Sequence, residues 1–299
     1  MIQLGALGPE PRVKGWRKGV SPTFPIIKPG KIRLVFDFSH LNTALSVPKI
    51  QYEDLTSIPL NIILPDALCS MAFDLKDGYW IMAMHLTALQ WLVSDLGPQP
   101  PKELWKLYSS LPMPPRFVIP LALPFGLATA PWAFSKMMYQ VWAHLRRLNL
   151  NILCYLDDVL LIGTMRDRIL VGQAITFLQV IRNAGLMLNA KKSDFTPKTV
   201  RLHLGLIVDL DPTFPHILVS EDRCRKLANQ AQFFMDNTSF LAAEFASFVG
   251  DVTFAALSPQ AKLATAPLTE GLWAQATALQ QKKNSTFKIR LLHRMVAGL

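Results

Sequence analysis

The stretch Asn151–Gly163, NILCYLDDVLLIG, decides how this chain is read. Two adjacent carboxylates, Asp157 and Asp158, sit between apolar runs, Ile152–Tyr155 before them and Val159–Ile162 after. Apolar runs of this length, rich in β-branched residues, read as buried strands, so the pair falls at the tip of a hairpin set in a core. Aspartate is a favoured turn residue, and a lone DD can be a polar turn and nothing more. In a core, however, two neighbouring acids repel and raise each other's pKa, and each charge is costly unless paired or bound to a metal. A divalent cation removes both costs. A second acid occupies a matching setting: Asp74 ends the apolar run Leu68–Phe73 within FDLKDGYW. Two strand-borne acid sites far apart in sequence suit a shared two-metal centre.

The 299 residues are enough for two or three subdomains, and 51% hydrophobic against 17% charged excludes a disordered chain. The formal net charge of +10 favours a polyanionic partner, although a merely basic surface has the same signature. Three cysteines, Cys69, Cys154 and Cys224, show neither zinc spacing nor a disulfide framework, which fits a reducing, intracellular setting. The N-terminus has no signal-peptide core. Leu111–Phe134 is the longest weakly charged stretch, and its six prolines argue against a spanning helix, so no membrane is expected. The six histidines show no metal spacing.

Along the chain, residues 1 to about 30 read as a basic, Pro- and Gly-rich arm leading into a hairpin with its turn at Pro29-Gly30. Ile32–Phe38 reads as a strand ended by Ser39–Asn42, and Pro48 and Pro59 bracket a helical piece over Tyr52–Ile58. Leu68–Phe73 is a strand, Asp77-Gly78 a turn, and Tyr79–His85 a strand or short helix. Residues 96–115 are loop-like and Phe117–Leu123 is a strand. Thr129-Ala130-Pro131 caps a helix over Trp132–Leu148, with Arg146 and Arg147 in its last turn, where cations suit the helix dipole. Arg166–Ala184 is an amphipathic helix with Ile169, Ala174, Phe177, Leu178 and Ile181 on its apolar side, ended by Gly185. Leu186–Ser193 reads as a short strand and basic turn, and Leu202–Val208 as one strand broken by Gly205, with a turn at Asp211-Pro212. Helices follow over 221–235, 240–257 and 259–280, with Ser239 and Ser258 at N-cap positions.

Taken in order, KIRLVFDFSHLN, FDLKDGYW, LPFGLATAPWAF, YLDD, LNAKKSDF and LHLGLIVD resemble the reverse transcriptases of retroelements. LPFGLATAPWAFSKMM with YLDD, and the later LAAEFASFVGDVTFAALSP, are most similar to DIRS-type retrotransposons and next to gypsy-type LTR elements. The resemblance implies an α+β right-hand polymerase. On this chain the N-terminal arm and fingers would take residues 1–67, and the palm 68–218 with a fingers insertion at about 88–120. A helical thumb would take 219–280, and a basic tail at 281–299 would stop short of an RNase H region. The implied activity is RNA-directed DNA synthesis on an RNA or DNA template with its primer, from dNTP, with two Mg²⁺ ions or Mn²⁺ as a substitute.

Carried over by position, Asp74, Asp157 and Asp158 are the metal ligands and catalytic acids. Lys192 sits near the leaving pyrophosphate. Arg33 contacts the triphosphate, with Lys28 or Lys31 assisting. Tyr79 excludes a ribose 2′-hydroxyl, and Phe125 and Gly126 line the nucleotide pocket. Leu204-Gly205 grips the primer. Retroviral relatives carry Gln where Phe125 stands. The chemistry agrees: Mg²⁺ takes hard oxygen donors, and cationic side chains stabilise charge on phosphoryl oxygens.

Each residue also has a plainer reading: Arg33 as a strand-edge cation, Tyr79 as core packing, Lys191 and Lys192 as a solvated turn, Asp77 as a turn former. Trp16 either stacks on a template base or anchors the arm to the fingers. The basic places 12–33, 136–147 and 282–294 are candidate template contacts. A relic that binds nucleic acid or protein without catalysis, and a polymerase with another template or product, stay open.

Overall fold

Asn151–Gly163 forms the expected hairpin, and a hydrophobic core closes on both of its faces. The computed structural model describes residues 6–11, 15–28, 31–50, 52, 53, 55, 68–98, 116–211, 216–237, 240–258, 288 and 289. Its elements begin with β1 (Leu7–Pro9), β2 (Val20–Lys28), β3 (Lys31–Phe36), α1 (Ser39–Thr43), β4 (Leu68–Asp74), α2 (Leu86–Leu89), β5 (Val93–Asp95) and β6 (Phe117–Pro120). The helix α3 (Ala130–Arg147) leads into β7 (Asn151–Tyr155) and β8 (Asp158–Thr164). Then come α4 (Ile169–Asn183), β9 (Asp194–Lys198), β10 (Val200–His203), β11 (Leu206–Asp209), β12 (His216–Val219), α5 (Glu221–Asp236) and α6 (Ala242–Ala255).

The central sheet has the order β7-β8-β4-β9. Its strands β4, β7 and β8 look largely apolar in sequence because both faces are covered, and the period of two reappears in what each residue touches. Ile152, Cys154, Val159, Leu161, Met71 and Phe73 face one core with α3 and α4. Leu153 and Leu160 face the other, built from Leu206, Val208, Leu210 and Ile217 of the antiparallel sheet β10-β11-β12 and its edges. Phe73 stacks on Phe177 of α4 with ring centroids 4.6 Å apart, fixing the helix over the middle of the sheet. A second sheet, β1-β6-β5-β2-β3, collects the early strands, with β2 and β5 parallel. The helices α5 and α6 carry a separate cluster of Phe234, Phe245, Phe248, Val249 and Val252.

Several sequence expectations are corrected. The strand at 32–38 spans Lys31–Phe36, and Ser39–Thr43 is helical, with Phe38 buried just before it. Thr129 holds the N-cap position of α3, but its side chain makes no capping bond; Pro131 in the first turn is as expected. The buried side of α4 is Leu170, Ala174, Phe177 and Ile181, while Ile169 and Leu178 face out. Ala174, Phe177 and Ile181 are buried as expected, and a 3₁₀ turn over Arg166–Arg168, with Arg168 at φ 59°, precedes α4. Leu186–Ser193 holds only an isolated bridge, Leu75 to Leu188, and the strand lies just beyond it at β9, on the far edge of β4. Leu202–Val208 is two strands, a tight hairpin turning at Leu204 (φ 48°) and Gly205 (φ 78°). β12, the short apolar run HILV after the Asp211-Pro212 turn, is a strand the sequence reading leaves unassigned, and it pairs with β11. Trp16 packs beside Leu89, Val93 and Ile119, so it anchors the early segment. The Pro29-Gly30 and Asp211-Pro212 turns, most of the 52–58 helical piece, the 99–115 loop, Ser239, the 259–280 helix and most of the basic tail lie wholly or partly outside the described residues.

One buried cation joins the sheet that contains the β7–β8 hairpin to the sheet β10-β11-β12. Arg201, in β10, is 6% exposed. It donates to Asp194 Oδ2 at 2.9 Å, to the Ser70 carbonyl at 2.9 Å and to the Thr196 carbonyl at 2.8 Å. Hydrogen bonding from Lys198, then from the Thr196 amide, holds the Asp194 carboxyl well below its usual range. A depressed carboxylate stabilises the fold above its unfolded pKa and loses that contribution as pH falls. We therefore expect Asp194→Asn to lower stability at pH 7 by about 2 kcal/mol, since it leaves a buried guanidinium short of its counter-charge. Urea denaturation at a series of pH values checks this, with the wild-type advantage shrinking below about pH 4.

Candidate active site

The two-residue turn between β7 and β8 is Leu156-Asp157, with Leu156 at φ 53°. Asp158 opens β8 and stands opposite Tyr155 on one side and Asp74 on the other. The Leu75 amide donates to the Asp157 carbonyl at 2.8 Å, pinning the hairpin tip to the end of β4. Asp74 is itself enclosed by the turn after α4. Its amide donates to Ser193 Oγ at 3.0 Å, and its carbonyl accepts from the Asn189 amide at 2.8 Å. Lys192, from the same turn, brings Nζ to 3.0 Å from Asp74 Oδ2. Asp74, Asp157, Asp158 and Lys192 thus border one cavity of about 380 Å³, which Leu202, His203 and Leu204 also line.

The cost of gathering these acids is visible in their protonation. Burial first, then the charges of Asp157 and Asp74, push Asp158 up to about 6, against the pull of Lys192. Asp157 is also raised, chiefly by burial. The hydrogen bond to Asp74 raises Lys192. Among the described residues no three His, Cys, Asp or Glu side chains stand close enough to enclose a metal as they are, and Asp74 is engaged by Lys192 instead. The donor set still fits a hard divalent cation. It offers carboxylate oxygens from three adjacent backbone positions, their mutual repulsion is offset only in part by one lysine, and a 2+ charge relieves the remainder.

Beside the acids lies an aromatic wall. Tyr79, in the 3₁₀ turn Gly78–Ile81, is 9% exposed, with its ring 4.8 Å from Phe125 and 5.0 Å from Phe134. Burial, with Tyr52, Asp157 and Tyr155 nearby, pushes its phenol up to about 12. Phe125 is 53% exposed and covers the outer face of Tyr79. Gly126 has φ 92°, and a Cβ there would come within 2.7 Å of the Phe36 carbonyl, so only glycine lets this loop lie on β3. Asn42 locks the same loop, donating to the Gly126 carbonyl at 2.9 Å and accepting from the Ala128 amide at 2.8 Å.

Nine of the ten predicted site residues have described surroundings, and the structure brings Asp74, Asp157, Asp158, Lys192 and Leu204 to one cavity. Tyr79, Phe125 and Gly126 form the adjoining wall. Gly205 completes the turn after Leu204, and a Cβ there would meet the Arg223 guanidinium at 2.8 Å. Arg33 is placed in β3 opposite Ile26, but its side chain, like those of Lys28 and Lys31, lies outside the described residues. Sequence reasoning does not single out Asn42, Ser193 and His203 as site residues. All three stand inside quoted motifs, with no pattern to mark them. Among the described residues His203 Nε2 is buried without a hydrogen-bond partner, and burial, then Arg201, lowers the imidazole to about 4, so it is neutral at pH 7. A larger groove of about 850 Å³ between α5 and α6 holds none of the predicted site residues.

Compared with known proteins, residues 21–208 match the family model described as reverse transcriptase (RNA-dependent DNA polymerase). The genome polyprotein of Petunia vein clearing virus (isolate Shepherd) is 32% identical over 165 residues, 54% of this chain and 6% of that protein. Polyprotein P3 of Commelina yellow mottle virus is 29% identical over 196 residues, 64% of this chain and 9% of that one. The chain therefore spans a small part of these relatives. Among solved structures, a foamy viral protease-reverse transcriptase in complex with double-stranded DNA gives a TM-score of 0.64 at 16% identity, covering 99% of this chain and 44% of that one. The same viral enzyme in complex with RNA/DNA hybrid gives 0.60 at 14% identity, covering 98% and 34%. At such identity the likeness shows the shared α+β polymerase fold. Among the described residues no helix is long and apolar enough to cross a membrane.

Removing one of three crowded carboxylates relieves repulsion in the metal-free protein. Asp158→Asn is expected to raise the melting temperature in EDTA by about 2–4 °C, roughly 1 kcal/mol. Saturating Mg²⁺ then stabilises the wild type more than the variant, and thermal melts with and without the ion check both statements.

Proposed function

The chain belongs to the reverse transcriptase (RNA-dependent DNA polymerase) family, and from that membership and the geometry of its acids we propose that it is an RNA-directed DNA polymerase extending a primer on an RNA or DNA template. The observation that carries the reading is the convergence of Asp74, Asp157, Asp158 and Lys192 on one cavity from segments 118 residues apart. In this reading β4 and β7–β9 with α3 and α4 are the palm, the sheet containing β2 and β3 belongs to the fingers, and α5 and α6 are the thumb.

Asp74, Asp157 and Asp158 would hold the metal, proposed as two Mg²⁺ ions. When bound, the metal supplies Lewis acidity, lowering the pKa of the primer 3′-hydroxyl and neutralising phosphate charge. The chain's own residues bind and orient. Lys192 Nζ gives a cationic donor to the departing pyrophosphate. Tyr79, fixed between Phe125 and Phe134, presents a rigid wall to the sugar of the incoming dNTP, where a 2′-hydroxyl would collide. Arg33 on β3 contacts the triphosphate. The Leu204-Gly205 turn, whose Leu204 lines the same cavity, supports the primer end. A template–primer duplex is held through sugar and phosphate, so binding is salt-sensitive and tolerant of sequence. A DIRS-type or gypsy-type origin is proposed on the wording of LPFGLATAPWAFSKMM and LAAEFASFVGDVTFAALSP.

Primer extension on poly(rA)–oligo(dT) with dTTP and Mg²⁺ tests the reading. Extension by the wild type and a loss of about 10³-fold or more in Asp157→Asn is the expected outcome. A folded wild type that binds template–primer but extends nothing overturns it in favour of a binding-only relic. Tyr79→Ala is expected to admit ribonucleotides; unchanged rejection removes Tyr79 from the role of sugar gate.

A further inference from the structure

Among the described residues the strand that delivers the acidic tip, β7, lies at the edge of its sheet, where backbone groups face outward with no neighbouring strand. Two of those outward groups are met by side chains from elsewhere in the chain. The Cys154 amide donates to Glu53 Oε2 at 2.9 Å. Arg146 Nη2 donates to the Ile152 carbonyl at 3.2 Å and to both Glu53 carboxylate oxygens at 2.7 Å. The charge pair thus occupies the place of a missing strand, one partner serving an N–H and the other a C=O. The next residue along β7 is held as well: the Tyr155 ring lies 5.4 Å from that of Tyr52, beside Glu53 in sequence. Ile152, Cys154 and Tyr155, on the approach to Leu156-Asp157, are therefore gripped from outside the sheet. Arg146, expected from sequence to serve the helix dipole or the template, is committed to this contact.

Energetics say what such a contact is for. The Arg146 and Glu53 side chains are 37% and 34% exposed, so the pair adds little to global stability. Its local effect is different, because a tip that carries Asp157 can shift with the free edge of β7. Displacement of a reacting group by about 1 Å costs on the order of 10²-fold in rate.

We infer that Glu53, held by Arg146, is a positioning residue that clamps the outer edge of β7 and, with Tyr52 against Tyr155, sets where Asp157 stands. This rests on the polymerase reading above, and its test separates the two. Single-turnover dNTP addition on pre-bound template–primer is compared for wild type, Glu53→Ala and Glu53→Gln, beside amide hydrogen exchange of a peptide spanning Cys154. Glu53→Ala is expected to slow the maximal rate about 10- to 100-fold with dNTP half-saturation within about threefold, and to speed exchange at Cys154. Glu53→Gln keeps an acceptor for the Cys154 amide and is expected to recover most of the rate and the protection, at an unchanged melting temperature. A Glu53→Ala enzyme with wild-type rate overturns the inference, as does a rate loss that merely follows a lowered melting temperature, or a Gln variant as slow as Ala. If the wild type extends no primer, the polymerase reading fails while exchange still decides the clamp: unchanged protection at Cys154 in Glu53→Ala overturns it.

Discussion

Asp74 stands opposite Asp158 across β4 and β8, and the site depends on that register. A slip of one residue would turn every side chain of β4 to the other face, sending Phe73 away from Phe177 and Asp74 away from the cavity. Two covered faces oppose such a slip, because each alternate residue of β4 and β8 already fills one core or the other. The hydrophobic cores therefore do more than stabilise the fold. They hold mutually repelling carboxylates together at a place where Asp158 is pushed up to about 6.

Local backbone strain gathers around the same point. Asp77, Leu156 and Leu204 all hold positive φ without being glycine, and they flank the Tyr79 turn, the acidic tip and the cavity's wall. Such conformations cost about 1–3 kcal/mol each and persist where surrounding structure over-determines them. Here the surroundings are visible: the Leu75 amide on the Asp157 carbonyl, the Asn189 and Ser193 contacts around Asp74, and Arg201 joining β10 to β4 and β9. Backbone hydrogen bonds place the acids, and side-chain charges then adjust what those acids do.

How much of this is legible in the sequence varies by element. The β7–β8 hairpin and the strand ending at Asp74 are legible because an acid directly after an apolar run is too costly a placement to arise from burial alone. The hairpin at Leu204-Gly205 reads as one strand, since a tight turn of two left-handed residues leaves only a glycine as its mark. The middle of the α4 face, Ala174, Phe177 and Ile181, is legible, while Ile169 and Leu178 stand at its margins, where periodicity alone does not separate buried from exposed. β9 escapes a sequence reading because an exposed edge strand needs no apolar run, and β12 because its apolar stretch is only three residues long.

By itself the sequence determined the residue types at the site, the order of the motifs and the α+β character, because burial and turn chemistry act over a few neighbouring residues. Only the tertiary structure decided that Lys192 reaches Asp74, that Asn42 locks the Gly126 loop and that Glu53 and Arg146 stand in for a strand beside β7. The first two of those contacts join residues 118 and 84 positions apart, and the last two pair a side chain with a backbone group of another element. Periodicity carries no record of such partners, since any polar residue that reaches the backbone group satisfies it equally well.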